Sequence, residues 1–198
     1  MSMTVPADRA SSDHDVEVTE LAFAAARGDR RALEHFVRET QRDVWRFVAH
    51  LADPRLADDL TQETYLRAIR SLPRFAGNST ARTWLLAIAR RVCADDVRRA
   101  MSRPRIAGGV DWIDAADTRR SAPRSAGWED VVEVNLLLED LPAERREALV
   151  LTQVLGLSYQ EAAEVTGCPV GTVRSRVARA REALIGATGS GRRDERSS

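Results

Sequence analysis

The segment from residue 155 to residue 184 constrains the fold of this chain more than any other part of its sequence. It reads LGLSYQEAAEVTGCPVGTVRSRVARAREAL. Ser158 and Glu161 have the S-x-x-E spacing in which each side chain satisfies a free backbone N–H at the start of a helix. Gly167 follows that helix, where a left-handed C-terminal cap favours a residue without a Cβ atom. Pro169 then suits the first turn of a second helix.

The second of these helices has two unlike faces. At about 100° per residue, an apolar stripe falls on one side and is expected to face the core. Its members are Val170, Val173, Val177, Ala180 and Leu184. The side predicted to read DNA bases carries Thr172, Ser175, Arg176 and Arg179. Arg174 and Arg181 lie on the flanks, where a helix seated in the major groove brings side chains near phosphates. The pattern predicts a DNA-binding helix-turn-helix, and the alternative is a solvated basic helix in an ordinary bundle.

Composition favours helices over a large β core. The chain has 198 residues, of which 43% are hydrophobic but only 5% aromatic, a balance that suits small helical bundles. We therefore expect an all-α fold of two small helical domains joined by a flexible linker, the second containing the helix-turn-helix. No apolar run has the length of a signal peptide or a membrane span, so we expect a cytoplasmic protein without membrane insertion.

The net charge is zero, but the charges are segregated along the chain. Residues 67–105 carry ten arginines against two aspartates, and residues 171–181 carry four arginines and no acid. Residues 53–63 and 111–144 are acidic. Two basic zones separated by acidic ones indicate two nucleic-acid contacts and a partner that is not nucleic acid. We also hypothesise that the opposed charges, with a linker containing Trp112, allow the domains to pack together and mask DNA-binding faces in the free protein.

Changes in composition predict five sections of chain. We expect a disordered leader (1–17), a helical domain (18–100), a linker (101–127), the helix-turn-helix domain (128–186) and a disordered tail (187–198).

Within the first domain, one helix is expected to begin after Asp29 and the next to end near Leu72, with Ile69 on its buried side. Asn78 or Ser79 is expected to cap a third helix, in which Trp84 belongs to the core. In the second domain, Leu137 is expected to belong to the apolar side of the first helix.

Four segments of the chain resemble one known family. They are DDLTQETYLRA at 58–68, TWLLAIAR at 83–90, LPAERREALVL at 141–151 and the helix-turn-helix. Together, in this order and with this linker, they resemble an extracytoplasmic-function (ECF) sigma factor, the specificity subunit of bacterial RNA polymerase. The resemblance covers roughly residues 21–184. It implies a protein that binds core RNA polymerase and directs transcription from promoters by recognising −35 and −10 elements and aiding strand separation.

The resemblance also implies roles for individual residues. It assigns binding of the polymerase β′ clamp helices to Asp58, Asp59, Gln62, Glu63 and Leu66, although acids of this kind also fit a merely solvated face. It assigns −10 recognition and melting to Phe75, Asn78, Ser79, Thr80, Arg82, Arg90, Arg91, Arg98 and Arg99, because separated strands need a positive channel and a pocket for an unstacked base. The family often carries Asn where this chain has Arg91. The implied partners are core polymerase, including its β subunit, promoter DNA and a possible anti-sigma factor, with no cofactor.

Two other classes of function remain as alternatives. A conventional transcriptional regulator has a helix-turn-helix, but it leaves the acidic DLTQE helix and the adjoining basic segment unexplained. An enzyme is disfavoured, because His14, His35 and His50 have no metal-ligand spacing and the chain has no lysine for a phosphate-binding loop. Cys93 and Cys168 are too few and too far apart for a zinc or disulfide framework. We therefore expect no metal site and no catalytic residue.

Overall fold

The structure is a computed structural model that describes residues 7–102 and 128–194. In those two ranges the regular elements are helical and no strand occurs, which confirms the expected all-α fold. The first range forms α1 (Ala7–Ala26), α2 (Arg30–Leu51), α3 (Ala57–Ser71) and α4 (Ala81–Ser102). The second forms α5 (Trp128–Leu138), α6 (Ala143–Leu149), α7 (Tyr159–Thr166) and α8 (Val170–Asp194). Most of the predicted linker, with Trp112, lies outside the described residues. Across these ranges, none of the helices is both long and apolar enough to cross a membrane.

Helix α2 is the central helix of the first domain. It begins where expected, because the Asp29 carboxylate accepts hydrogen bonds from the backbone N–H groups of Arg31 and Ala32. Phe36 and Phe47 on its inner side are fully buried. Helices α1, α3 and α4 all pack against it, so each of these three helices turns its other side outward.

Two local predictions for α3 and α4 were wrong. Ile69 is 42% exposed rather than buried, because the inner face of α3 is already filled by Leu60, Thr64 and Ala68. The cap of α4 is Thr80, whose Oγ1 accepts from the backbone N–H of Thr83 at 3.1 Å.

The helices extend beyond the predicted domain limits. Helix α1 already begins at Ala7, within the leader that we expected to be disordered to residue 17. Val18 and Ala22, one turn apart, are fully buried and anchor α1 on the bundle. At the other end, α8 continues to Asp194, through the start of the predicted tail. The prediction of disorder came from the composition of the two ends and from the lack of helical periodicity in the leader, and the domain limits stay a prediction.

The second domain is built around α6 and α8. A π-helical turn from Val150 to Val154 extends α6 and places Val150 and Leu151 in the core. Leu137, which we expected to be buried, is 61% exposed, because α5 turns Val131 and Leu138 inward instead.

The two domains are in contact. Helix α4 packs against α7, and α2 packs against α5 and α6. The buried apolar side chains of both domains form one continuous cluster. Polar interactions between described residues also cross the contact. His50 bonds with Asn135 at 2.6 Å, Asn135 with the carbonyl of Ala49 at 2.9 Å, Arg82 with the carbonyl of Leu155 at 2.6 Å, and Arg90 with Glu147 at 2.5 Å. The structure thus has a contact between the domains, while Trp112, which the hypothesis also included, lies outside the described residues.

Candidate functional site

The helix-turn-helix has the local structure that its sequence predicts. The Ser158 hydroxyl accepts from the backbone N–H of Glu161 at 3.2 Å, and the Glu161 carboxylate accepts from the backbone N–H of Ser158 at 2.9 Å. Gly167 ends α7 with φ +68°, a conformation that a Cβ atom disfavours. The carbonyl of Pro169 accepts from the N–H of Thr172 at 2.8 Å, so this proline lies just before α8 rather than inside its first turn.

Helix α8 presents one polar face outward. Val173, Val177 and Ala180 are buried as predicted, whereas Arg174, Ser175 and Arg179 are exposed. The guanidinium of Arg174 lies 5.8 Å from the centroid of the Tyr159 ring, within range of a cation–π interaction. This face can meet the edges of base pairs.

The remaining predicted residues of α8 lie at the edges of that face. Thr172 and Arg176 are half-buried, and the Nη1 of Arg176 lies 3.6 Å from the Cys168 sulfur. Arg181 is exposed and donates to the side-chain oxygen of Gln153 at 2.6 Å. A base contact by Arg176 thus competes with an existing contact in the turn.

Helix α3 carries an exposed face with both acidic and apolar character. Asp59 and Gln62 are exposed, and Leu66 is 52% exposed. Ile69 belongs to this surface, although its sequence pattern predicted burial. Its position three residues after Leu66 is the signal that places both side chains on one side of the helix. Exposed leucine and isoleucine beside carboxylates are typical of a surface that binds another protein.

The other two predicted acids of α3 already have partners in the structure. Asp58 accepts from the indole N–H of Trp45 at 2.8 Å, which ties α3 to α2. Glu63 accepts from the Nε of Arg67 at 2.7 Å. These carboxylates are therefore held in defined positions, whereas Asp59 is the more accessible charge.

Arg67 also joins α3 to α4. Its Nη1 lies 2.5 Å from Asp95, which in turn pairs with Arg98. The two guanidinium groups lower the pKa of the Asp95 carboxyl below its ordinary value, because they stabilise its charged form. Glu63 and Arg98, predicted for two different partners, are thus ends of one chain of ion pairs.

The loop before α4 divides into a buried and an exposed part. Phe75 is 9% exposed and packs between Phe23 and Trp84, with ring centroids 5.2 and 5.0 Å away. It supports the loop from below and is not accessible for stacking on a base. Asn78 is exposed, and Ser79 and Thr80 are half-buried. The accessible part of the predicted pocket therefore begins at Asn78.

The five arginines predicted to meet DNA on α4 fall into two groups. Arg91, Arg98 and Arg99 are exposed. Arg82 instead forms an ion pair with Asp43 at 2.5 Å besides its bond to the carbonyl of Leu155. Arg90 pairs with the buried carboxylate of Glu147. The domain contact therefore occupies Arg82 and Arg90 and leaves the other three accessible.

Titratable side chains do not gather into a metal site in the described ranges 7–102 and 128–194, where no group of three or more His, Cys, Asp or Glu has suitable geometry. Cys93 is buried and Cys168 half-buried. Burial raises the pKa of the Cys93 thiol to about 12.

Comparison with known proteins identifies both halves of this arrangement. Residues 36–103 match the family model of sigma-70 region 2, and residues 132–184 match that of sigma-70, region 4. The chain is 58% identical over 176 residues to the ECF RNA polymerase sigma factor SigC of Mycobacterium tuberculosis (strain CDC 1551 / Oshkosh), which covers 89% of this chain and 94% of the relative. The chain belongs to the ECF sigma factors. This sigma factor is thus a transcription initiation factor that recognises promoters for RNA polymerase.

Two solved structures have similar folds. CnrH, in complex with the cytosolic domain of CnrY, has 26% identity and a TM-score of 0.67, over 88% of the sigma factor and 98% of that chain. The sigma factor RpoE in complex with the anti-sigma factor NepR, from Bartonella quintana, has 27% identity and a TM-score of 0.60, over 77% and 93% of the two chains.

Proposed function

We propose that the sigma factor binds the β′ clamp helices of core polymerase through α3, reads the −35 element with α8 and holds the opened −10 strand along α4. One observation carries this division of roles. The acidic and apolar face of α3 and the arginine faces of α4 and α8 are separate surfaces on one chain. A regulator that only binds duplex DNA needs the last of these surfaces and not the first two.

The polymerase contact is assigned to α3 because its outer face combines accessible charge with exposed apolar area. Asp59 and Gln62 offer oxygen acceptors to arginines of a partner helix, and Leu66 with Ile69 offers apolar surface. Asp59→Arg should abolish capture of the clamp helices, and Leu66→Ser should weaken it about tenfold. Glu20→Arg is the matched control, because Glu20 is an exposed acid on α1. Equal loss with Glu20→Arg would contradict the assignment.

The −35 contact is assigned to the outer face of α8. Arg179 is exposed and opposite the buried stripe, so we expect it to bond a guanine edge, a contact worth about 1–3 kcal/mol of discrimination. Arg179→Ala should relax base preference at one promoter position while capture of polymerase stays unchanged. Arg176→Ala should also weaken −35 recognition without loss of polymerase binding. Glu182→Gln, an exposed change on the same helix, is the control in footprinting.

The −10 strand is assigned to the basic side of α4. Arg91, Arg98 and Arg99 are accessible to its phosphates. Arg90 is paired across the domain contact with Glu147, and Arg82 is bonded across it to the Leu155 carbonyl and, within its own domain, to Asp43. We infer that the closed form of the free chain has to open before all five arginines can hold a single strand. The outer face of α8 stays accessible throughout.

Run-off transcription with purified core polymerase tests the function as a whole. The sigma factor should direct initiation at specific sites, found by sequencing transcripts from genomic templates, and core enzyme alone should not. Specific binding of duplex operators without polymerase, together with no start-site selection, would favour the regulator instead.

We further propose that the chain works in the cytoplasm and has no catalytic activity of its own, since family membership supports a role in initiation. A protein partner that holds it inactive is also proposed, because both similar structures are complexes, one of them with a named anti-sigma factor. Affinity purification from cells under non-inducing conditions, followed by mass spectrometry, should recover one partner at equal molar amount. Recovery of the sigma factor alone would contradict this.

A further inference from the structure

A histidine lies buried where the two domains meet. His50, near the C-terminal end of α2, is 1% exposed, and α5 and α6 of the second domain pack against α2. Its Nδ1 lies 2.6 Å from the side-chain oxygen of Asn135 on α5. This hydrogen bond joins residues that are 85 positions apart and belong to different domains.

The amide of Asn135 fixes which ring nitrogen carries the proton. Its Nδ2 donates to the backbone carbonyl of Ala49 at 2.9 Å. A carbonyl only accepts, so the amide nitrogen must face Ala49 and the amide oxygen must face His50. The neutral ring therefore donates from Nδ1, and any second proton has to be added at Nε2.

The surroundings of His50 disfavour that second proton. Burial lowers the pKa of His50 below its ordinary value of 6.5, and the hydrogen bond that the ring donates to Asn135 opposes this only in part. The charged groups that act on the ring are Arg46 from its own helix and Arg146 from α6, both of the same sign as a protonated histidine. Helix α5 contributes the uncharged Asn135. Separation of the domains removes Asn135 and Arg146 from the ring and exposes it to water.

We propose that His50 and Asn135 form a proton-sensitive latch, which holds the two domains together at neutral pH and releases them when His50 becomes doubly protonated. The latch concerns the domain contact itself. Its consequence for transcription rests on the proposed function: opening releases Arg90 from Glu147 and frees Arg82 from the Leu155 carbonyl.

The direction of the pH effect follows from linkage. The closed form binds the proton more weakly than the open form, so its advantage is complete only well above pH 6.5 and decreases as the pH falls through that value. At pH 5.5 an open-form histidine with the ordinary value is about 90% protonated, so the ratio of closed to open chains should fall by up to about tenfold.

A second titratable group at the domain contact acts in the opposite direction. Asp15 lies 3.9 Å from Arg82, and the charges of Glu161 on α7, of His14 and of Asp43 also act on it. Burial raises the pKa of Asp15, so its protonation favours the closed form as the pH falls. Substitution of His50 separates the two effects.

Distance measurement in the full chain tests the latch. Spin labels are attached at Glu39→Cys on α2 and Glu182→Cys on α8, both exposed, in a Cys168→Ser background that leaves only the buried Cys93. Between pH 7.5 and 5.5, the long-distance population should increase several-fold. His50→Asn retains a donor at the Nδ1 position and cannot titrate, so its long-distance population should not increase between pH 7.5 and 5.5. Asn135→Ala should show the long distance at both pH values.

Several results would overturn the latch. The first is a distance between the spin labels that does not change with pH in the otherwise native chain. The second is an increase in the long-distance population of His50→Asn equal to that of the native chain. The third is an Asn135→Ala chain that stays closed. Circular dichroism at both pH values checks that the helices persist. The two substitutions lie in different domains, so if one variant misfolds, the other still tests the latch. The latch and the proposed function can also fail separately. If the native chain opens on acidification but the Asn135→Ala chain fails in run-off transcription at neutral pH, the result supports the latch and contradicts the proposed function.

Discussion

Arg90 and Glu147 form an ion pair across the domain contact, with the Nε of the arginine 2.5 Å from a carboxylate oxygen. The carboxylate side chain is only 8% exposed, whereas the guanidinium side chain is 37% exposed. A buried carboxylate depends on its partner, while the arginine can turn to water or to a phosphate. In the closed form, Glu147 is thus paired with Arg90, an arginine that we assign to the −10 strand.

Glu147→Gln should release Arg90 and weaken the domain contact by about 1.5–3 kcal/mol, the range for a hydrogen bond to a charged group. We expect the free variant to bind single-stranded DNA several-fold more tightly, as measured by fluorescence anisotropy at fixed salt. Glu144→Gln removes an exposed acid from the same helix and controls for the change in net charge. Equal gains in both variants would show that charge alone is responsible.

Gly77→Ala should destabilise the loop that precedes α4. Gly77 has φ +71°, and a Cβ atom there would approach the ring of Phe23 to 2.6 Å. The left-handed backbone alone costs about 1–2 kcal/mol for a residue with a side chain. Gly171→Ala is the control, because its added methyl group meets nothing within 4 Å and a helical alanine is favoured. The midpoint of chemical denaturation should decrease for Gly77→Ala and increase for Gly171→Ala. A shift of both midpoints in the same direction would contradict the prediction.

Ser158→Ala should loosen the helix-turn-helix without affecting the first domain. It removes an acceptor of the capping box, which is worth about 0.5–2 kcal/mol. Hydrogen exchange should increase at the first turn of α7 and remain unchanged in α2. Gln160→Ala, an exposed change on the same helix, should leave exchange at that turn as it was. Unaltered exchange in Ser158→Ala would mean that the cap is dispensable.

The two cysteines should differ in reactivity. Since burial raises the pKa of Cys93 to about 12, roughly one thiol in ten thousand is ionised at pH 8. Cys168 is half-buried in the turn of the helix-turn-helix. Iodoacetamide should therefore label Cys168 alone in the native protein and both in urea, as read by mass spectrometry. Fast labelling of native Cys93 would indicate that α4 opens locally.

Local patterns were sufficient to predict most of the helix-turn-helix. The capping box at Ser158 and the left-handed Gly167 depend on neighbours within one turn, so their sequence determines them. Burial of Phe75 could not be predicted in the same way, because it depends on Phe23, which is 52 residues distant and belongs to α1. Exposure of Ile69 was missed for a related reason, since an apolar residue on a binding surface and one in a core look alike in sequence.

The contact between the domains was foreseen only in outline. Charge segregation suggested that the halves attract each other, but the pairing of Arg90 with Glu147 depends on the docking of two separate bundles. Arg82 donates to the backbone carbonyl of Leu155. Because every residue type has a backbone carbonyl, the sequence gives no signal for this bond. The roles assigned to individual residues on α3, α4 and α8 remain predictions until the variants above are measured.

The position of Arg67 between Glu63 and Asp95 has a mechanical consequence. A partner that pulls on α3 pulls on α4 through the same guanidinium, so the two helices should travel as one rigid lever. Any displacement that a partner imposes on α3, the helix we propose for polymerase docking, would then be transmitted directly to α4, the helix we propose for the −10 strand.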